Sequence, residues 1–447
     1  MTPKDPRKIA ADVLLQVEEG AYSHLALKDA LKDESLRGLD RAFITELVYG
    51  VTRRKLTLDH IIDSHLKKRD LRPEIRTVLR MGAYQLLYMD RVPASAAVNE
   101  SVKLVHIFRL NSQKGLVNAV LRNVDRSRDR DYFSEIREPA ARLAALHSHP
   151  VWMVRMFLNR FGEASTRKLL EYNNGSQPNY ARVNTLKTGR DELIRLVQDQ
   201  GGEAVPGVVP GSIILTGKTR PGSLPAYRDG LFMLQSPSSM VAALALGARP
   251  GEKVLDCCAA PGGKTFILAQ EMNNQGELLA TDVHPHKITL INRGTGFLGI
   301  QCARARVADW EQPQPALGQD FDRVLVDAPC SGLGVLGRRP DSRWRKESKD
   351  IPGLVAVQRK ILTNAWEAVR PGGVLLYSTC TLTLEENQMQ RQWALDNLSG
   401  AGIRPLEVDL PVLSQQDRQN LSEGWLEILP FRHNLDGFYL AALEKKA

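Results

Sequence analysis

Two cysteines of this 447-residue sequence each follow an apolar run of strand length. Cys380 lies in "GVLLYSTCTLTLEEN", and Cys330 ends "RVLVDAPC". Loops at the carboxyl ends of parallel strands carry the reactive groups of many α/β proteins. Two thiols in this setting are compatible with core residues, a disulfide, half of a metal site or a catalytic pair.

The surrounding residues narrow these alternatives. Pro329 precedes Cys330 and favours an irregular loop over a packed strand. Five cysteines, an odd number in a long chain, are not typical of a disulfide framework. Cys257 and Cys258 are adjacent rather than spaced as C-x-x-C, and no H-E-x-x-H occurs, so we expect no metal. We interpret Cys257, Cys258 and Cys302 as structural, with Cys258 also lining the turn described next.

The stretch "VLDCCAAPGGKT" has the order strand, glycine turn and helix, which aims backbone N–H groups at a ligand. The dinucleotide pattern G-x-G-x-x-G is absent. A phosphate-binding P-loop would match at Gly263, Lys264 and Thr265, but its first glycine would fall on Cys258. A nucleoside triphosphatase is therefore the weaker interpretation of this turn, and an S-adenosylmethionine pocket is the stronger one.

Such a pocket needs an acidic residue at the end of the next strand, to bind ribose hydroxyls. Asp282, in "LLATDVH", ends the next apolar run, 26 residues after Asp256. Asp309, in "RVADW", follows the third candidate strand, where it could accept the adenine amine. With Asp327, three aspartates end consecutive strand–helix units, an arrangement that predicts a cofactor pocket.

The elements that position these groups fall into three predicted parts. Residues 1–140 show helical periodicity and few strand signals, which predicts an all-α domain. Residues 141–240 are mixed, with strand candidates at 179–184 and 212–216, and predict a small α/β connector domain. Residues 241–447 alternate apolar runs with helical segments, which predicts a doubly wound, Rossmann-like sheet with helices on both faces. A last strand is expected near the C-terminus.

Charge and hydropathy point to a globular protein. Lysine and arginine number 60 against 51 aspartates and glutamates, an excess of nine. Residues 51–130 alone hold 17 basic and 8 acidic side chains, which is compatible with binding a phosphate backbone or with a solvated basic surface. No signal peptide or membrane span is visible, so we expect no membrane association and a cytoplasmic location.

At several points the residues resemble a known family. "CAAPGGK", "DAPCSGLGV", "RRPDSRW" and "YSTCTLTLEEN" are similar to the Sun/Fmu, or RsmB, family of 16S ribosomal RNA cytosine-carbon-5 methyltransferases. "ITELVYGVTRR" and "RMGAYQLLYMDRVPASAAVNE" resemble the NusB-like RNA-binding domain of that family. "HPVW", "RVNTLK" and "LDGFYLAAL" match its middle domain and its end, so the resemblance covers nearly the whole chain.

The resemblance implies a class I methyltransferase domain with an antiparallel last strand, S-adenosylmethionine as cofactor and 16S ribosomal RNA as partner. Cys380 would be the nucleophile and Cys330 its partner, while Arg182 would contact RNA. Arg338 and Arg339, in the basic run "GRRPDSRWRK", are further candidates for RNA contact, although that run could also favour the thiolate or remain in solvent. The cofactor residues would be Cys258, Ala259, Ala260, Pro261, Gly262, Gly263, Lys264, Asp282, Asp309 and Asp327.

Two thiols suit this chemistry. Carbon 5 of cytosine is a weak nucleophile until a thiolate adds to carbon 6 and turns the ring into an enamine. Afterwards the carbon 5 proton must leave, and a second group can assist. The target base must be unpaired or flipped to reach the thiol. The alternative from another class is a catalytically inactive NusB-like RNA-binding or antitermination factor. We expect a monomer.

Overall fold

The computed structural model describes residues 5–446. The chain forms two compact units, one comprising residues 5–175 with 338–346 and the other residues 176–337 with 347–446. The predicted boundaries at 140 and 240 stay a prediction, because this division separates two units rather than three. Among the described residues, no helix is long and apolar enough to cross a membrane.

The first unit is helical throughout its described residues, in agreement with the periodicity of the sequence. A short 3₁₀ turn, Asn111–Gln113, precedes the sixth helix. The helices are α1 Pro6–Glu18, α2 Ser23–Ala30, α3 Gly38–Asp63, α4 Pro73–Tyr88, α5 Ala94–Ile107, α6 Lys114–Arg126, α7 Pro139–His147 and α8 Val151–Asn174.

One continuous apolar core joins α1 to α6. On α6 the buried residues Val117, Val120, Leu121 and Val124 recur at the three- and four-residue spacing of one helix face. Gly50 of α3 is needed because a Cβ atom there would lie within 2.0 Å of the Tyr84 ring on α4. Helix α6 thus buries one face, whereas α4 is buried at every position from Thr77 to Leu86.

The segment Arg338–Lys346 belongs to this helical unit although its sequence lies far from it. Arg343 is fully buried, and its guanidinium donates to the backbone oxygens of Ser148 and Asn173 and to Oδ1 of Asn174. Burial lowers the pKa of Arg343 to about 9. Our expectation that the charges of this run bind RNA, favour the thiolate or remain in solvent is therefore wrong for Arg343, which ties the segment to the helical core.

The second unit begins with a small antiparallel sheet whose strands lie in the order β2-β3-β1-β4. The strand predictions at 179–184 and 212–216 are confirmed. Two helices, α9 Arg190–Asp199 and α10 Pro225–Arg228, accompany the sheet. Its strands are β1 Asn179–Val183, β2 Glu203–Pro206, β3 Ser212–Thr216 and β4 Phe232–Leu234.

A larger sheet follows, with the order β10-β12-β9-β8-β5-β6-β7, and β11 pairs with β12 outside this path. Its strands are β5 Lys253–Asp256, β6 Glu277–Asp282, β7 Ala303–Val307, β8 Phe321–Asp327, β9 Val369–Thr379, β10 Ala401–Ile403, β11 Trp425–Ile428 and β12 Phe438–Lys445. The helices of this part are α11 Pro237–Leu244, α12 Gly263–Glu271, α13 Pro285–Leu298, α14 Asp350–Ala368, α15 Gln388–Asn397, α16 Gln415–Ser422 and α17 Pro430–His433.

Alternation along the strands gives this sheet two buried faces. Val254 packs in one apolar cluster with Phe266 of α12, whereas the next residue, Leu255, packs in a second cluster with Trp366 of α14. Strands β5 to β9 of this sheet pair in parallel, and β12 pairs with β9 antiparallel. These features confirm the predicted doubly wound, Rossmann-like sheet with an antiparallel last strand.

Candidate active site

The sheet topology brings the two predicted catalytic cysteines together. Strands β8 and β9 are parallel neighbours in which Asp327 pairs with Ser378. Cys380 directly follows β9 and Cys330 lies three residues beyond the end of β8. Their sulfur atoms are 3.4 Å apart, both side chains are partly exposed, and neither cysteine forms a disulfide. Neither cysteine is a buried core residue.

The environment of the two thiols is unequal. The hydrogen bond with Cys380 and burial raise the pKa of the Cys330 thiol well above its ordinary value, and the charge of Glu386 acts in the same direction. A negative charge on both of two sulfur atoms in contact is unfavourable. The raised pKa of Cys330 favours the neutral thiol at that position, so Cys330 can donate a hydrogen bond to the sulfur of Cys380.

Glu386 fastens the two cysteine loops to each other. It is fully buried, and its Oε1 accepts hydrogen bonds from the Ser331 backbone N–H at 2.8 Å and from Nε2 of Gln358 at 3.1 Å. Its Oε2 accepts from the hydroxyls of Ser331 at 2.5 Å and Thr383 at 2.7 Å. One carboxylate therefore binds the residue after Cys330 and a residue three positions after Cys380. Sequence reasoning missed this role, although "TLEEN" directly after a strand-end cysteine was a signal for it.

Backbone contacts reinforce the same arrangement. The N–H of Gly334 donates to the Cys380 carbonyl at 2.9 Å, and the N–H of Gly437 donates to the Gly334 carbonyl at 2.7 Å. A Cβ atom on Gly334 would lie 2.2 Å from the Gly437 oxygen and 2.9 Å from the Cys380 oxygen. Glycine at position 334 therefore permits the close approach of three chain segments around the nucleophile candidate.

The predicted cofactor turn joins β5 to α12. Gly262 has a φ of +105°, and a Cβ atom there would lie 2.4 Å from the Phe266 ring, so only glycine fits. No side chain caps the N-terminus of α12, and the first N–H groups of a helix have no partner within the helix. Free N–H groups in a tight glycine turn suit a polar ligand.

Lys264 links this turn to the cysteine strands. Its Nζ lies 2.6 Å from Oδ2 of Asp327, and Oδ1 of Asp327 accepts a hydrogen bond of 2.8 Å from the Ser378 hydroxyl. A lysine held by a carboxylate is not available as the phosphate-binding lysine of a P-loop. The ion pair between Lys264 and Asp327 therefore argues against a nucleoside triphosphatase.

Two more carboxylates line the same edge of the sheet. Asp282 ends β6 and is 6% exposed; its Oδ1 accepts from the His284 N–H and lies 3.5 Å from Nζ of Lys287, whereas its Oδ2 has no partner among residues 5–446. Burial raises the pKa of Asp256 at the end of β5 to about 7, and its Oδ2 accepts from the Thr265 hydroxyl at 2.7 Å. A carboxylate at the end of β6 with one oxygen available fits the ribose hydroxyls of S-adenosylmethionine.

Asp309 lies two residues beyond the end of β7, next to β6, and its side chain is exposed. Its Oδ1 accepts from the N–H of Glu311 at 3.0 Å. Asp309 is thus on the edge of the sheet that carries Asp282, and its contact with the cofactor stays a prediction.

The three arginines that were predicted to contact RNA differ in their exposure. Arg182 is only 5% exposed, donates to Oε1 of Gln270 at 2.8 Å, and burial lowers its pKa to about 9. Because it presents no charged surface, the predicted RNA contact of Arg182 does not fit this structure. Arg339 is exposed and Arg338 is partly buried, and their contact with RNA stays a prediction.

No group of three or more metal-ligating side chains occurs within residues 5–446.

Comparisons with known families match all three parts of the chain. The 16S rRNA methyltransferase RsmB/F family matches residues 243–444, the NusB family matches residues 4–126, and the ferredoxin-like domain of RsmF/B-like methyltransferases matches residues 149–220. A probable ribosomal RNA small subunit methyltransferase B of Bacillus subtilis is 33% identical over 98% of both chains. The corresponding Synechocystis protein is 35% identical over 98% of this chain and 99% of its own.

The chain belongs to the RsmB family of 16S rRNA methyltransferases. This confirms the predicted resemblance and makes S-adenosylmethionine its cofactor. The crystal structure of PH0851 superimposes with a TM-score of 0.82 at 26% identity and covers 99% of each chain, so the order of the parts extends to a solved structure.

Proposed function

We propose that this chain methylates carbon 5 of a specific cytosine in 16S ribosomal RNA through a covalent cysteine adduct. The observation that supports the proposal most directly is the contact of Cys330 and Cys380 at 3.4 Å, at the strand ends adjoining the glycine turn. A predicted cytoplasmic location agrees with such a substrate and stays a prediction.

Gly262, Gly263 and Lys264, with the carboxylates of Asp282 and Asp309, would hold the cofactor. When bound, S-adenosylmethionine supplies an electrophilic methyl group on a sulfonium. Asp327, already joined to Lys264 and Ser378, lies between this turn and the cysteines and would border the target base.

Cys380 would act first, as the nucleophile. Its sulfur forms a bond to carbon 6 of the unpaired cytosine, and the electrons of the ring double bond become available at carbon 5. Cys330, which keeps its proton, can hydrogen-bond to the Cys380 sulfur before the attack.

Cys330 would act in release. After methylation, the proton on carbon 5 passes to solvent water, its bonding electrons restore the ring double bond, and the bond between Cys380 and carbon 6 breaks to return the thiolate. The S–H of Cys330 is placed to donate a hydrogen bond to the departing Cys380 sulfur. The two thiols would then have separate roles, one in attack and one in release.

The test is a denaturing gel with radiolabelled 16S ribosomal RNA in the presence of S-adenosylmethionine. Cys380→Ala should give neither adduct nor product, whereas Cys330→Ala should accumulate a protein–RNA complex that survives SDS. The matched control is Cys302→Ala. It removes a thiol that packs against the apolar core just before β7, at one end of the strand order, and it should behave as the unaltered protein.

Two results would contradict the assignment. An adduct in Cys380→Ala with none in Cys330→Ala would reverse the two roles. Full activity without an adduct in both variants would exclude the covalent mechanism. If the chain were an inactive RNA-binding factor, the alternative from another class, the unaltered protein would show no methylation. The contact between the two thiols and the hydrogen bonds of Glu386 to both of their loops argue against this alternative.

A further inference from the structure

The helical unit contains a cavity of about 610 Å³ that is lined only by residues of that unit. We call it the arginine groove; its principal residues are Arg54, Tyr88, Arg130, Tyr132, His147 and Arg167. They come from α3, α4, α7, α8 and the connection that follows α6. A volume of this size is within the range of ligand-binding pockets.

Positive charge dominates the lining. Four arginines, at positions 54, 128, 130 and 167, face a single glutamate, Glu171. Arg128 pairs with Asp125, and Arg167 pairs with Glu163. No carboxylate pairs with Arg54 or Arg130 among the described residues, so two cations in this groove have no anionic partner within residues 5–446.

Aromatic rings hold these two cations. The Arg54 guanidinium lies 5.0 Å from the centre of the Tyr88 ring, and that of Arg130 lies 5.3 Å from the centre of the Tyr132 ring. An arginine stacked on a ring is restricted in orientation and keeps its N–H donors for a ligand. Its planar face can also stack on an unpaired base.

A buried polar atom in the lining also lacks a partner. His147 is 9% exposed, and its Nε2 has no hydrogen bond among the described residues. Burial, Arg167 and Arg54 lower the pKa of His147 to about 4, so the ring is neutral at physiological pH. Because buried polar atoms are rarely left unpaired, Nε2 points to a ligand group that can form a hydrogen bond.

We propose that the arginine groove binds an unpaired segment of the substrate RNA, with phosphate on Arg54 and Arg130 and a base edge at His147. The inference rests on the proposed function, because it assigns this chain a second contact with the same RNA. Stacked cations and a neutral hydrogen-bonding ring suit a nucleotide better than an acidic peptide, which offers charge but no base to stack.

The test uses the full-length protein and a fluorescent single-stranded RNA of about 12 nucleotides, within the site sizes of single-strand binders. The variant Arg54→Gln/Arg130→Gln should bind this RNA at least about tenfold more weakly, since it removes two charged donors to phosphate. The slope of log affinity against log salt should become shallower by about 1.4, roughly 0.7 for each lost phosphate contact.

The control is Arg91→Gln/Arg122→Gln, which removes the same charge from two exposed arginines outside the groove. It should change the affinity and the slope much less. Arg130→Gln alone, at an exposed position, guards against misfolding of the double variant. Cofactor affinity should be equal in all variants, and methylation of saturating ribosomal RNA should keep its rate while half-saturation needs more RNA.

Three results would overturn the inference. The first is equal RNA affinity and salt slope in the groove variant and its control. The second is competition by duplex RNA as strong as by the single strand. The third is an acidic polyglutamate peptide whose binding needs these arginines while RNA binding does not. If the unaltered protein does not methylate ribosomal RNA, the proposed function is wrong. The RNA affinity of the groove is measured separately, so the two failures can be told apart.

Discussion

Replacing Glu386 by glutamine tests whether a buried carboxylate holds the two cysteine loops in register. The carboxylate accepts four hydrogen bonds, at distances of 2.5–3.1 Å. Glutamine keeps one acceptor oxygen, which can serve the Ser331 N–H and Gln358. Its NH₂ group must instead donate to the hydroxyls of Ser331 and Thr383, which have to turn around.

The expected loss of stability in the Glu386→Gln variant follows from these four hydrogen bonds. A hydrogen bond to a charged group contributes about 1.5–3 kcal/mol, against about 0.5–1.5 for a neutral one. Loss of the charge at two well-satisfied bonds therefore costs about 1–3 kcal/mol, a sizeable part of a typical stability of 5–15 kcal/mol. Alanine would also leave two buried donors unpaired, so glutamine is the better choice for a folded variant.

The expected result is a lower melting temperature and a fall of roughly 10- to 100-fold in single-turnover methylation, since 1.4 kcal/mol corresponds to a factor of ten. Cofactor affinity should be unchanged, because Glu386 contacts the cysteine loops and not the glycine turn. Glu385→Gln, the same change at the exposed neighbouring position, is the control. If both variants unfold and react alike, Glu386 does not position the thiols.

Three further changes test the remaining geometry. Asp282→Ala should weaken S-adenosylmethionine binding by about 10- to 150-fold, the loss of charged hydrogen bonds of about 1.5–3 kcal/mol, and unchanged affinity in a titration would remove Asp282 from the pocket. Gly334→Ala should lower stability by about 1–3 kcal/mol through backbone overlap and reduce adduct formation; Gly353→Ala, whose Cβ would meet nothing within 4 Å, should do neither. Because burial raises the pKa of Asp256 from 3.8 to about 7, the folded state retains a proton that the unfolded chain loses. Stability should fall as pH rises through this window, by roughly 4 kcal/mol at most, and Asp256→Asn should flatten the fall in melts recorded across it.

Local patterns in the sequence predicted the fold class and the loops that carry the reactive groups. Apolar runs of strand length and their spacing predicted β5, β6, β8 and β9, and each was confirmed. Since parallel strands in one sheet end on the same edge, a residue's position after its strand is enough to place it there. This is why Asp282, Asp327 and the two cysteines could be predicted as neighbours from local pattern alone.

Contacts between residues distant in sequence depend on which elements pack together, and they are visible only in the folded structure. Glu386 is 55 residues from Ser331, and no local pattern indicates that its carboxylate accepts from that residue. Arg343 and Arg182 look alike in sequence to surface cations, yet both are buried. Local spacing specifies which face of an element is apolar, whereas the partner of a buried charge depends on which element packs over it. For that reason the thiols were predictable, and the groups that position them were not.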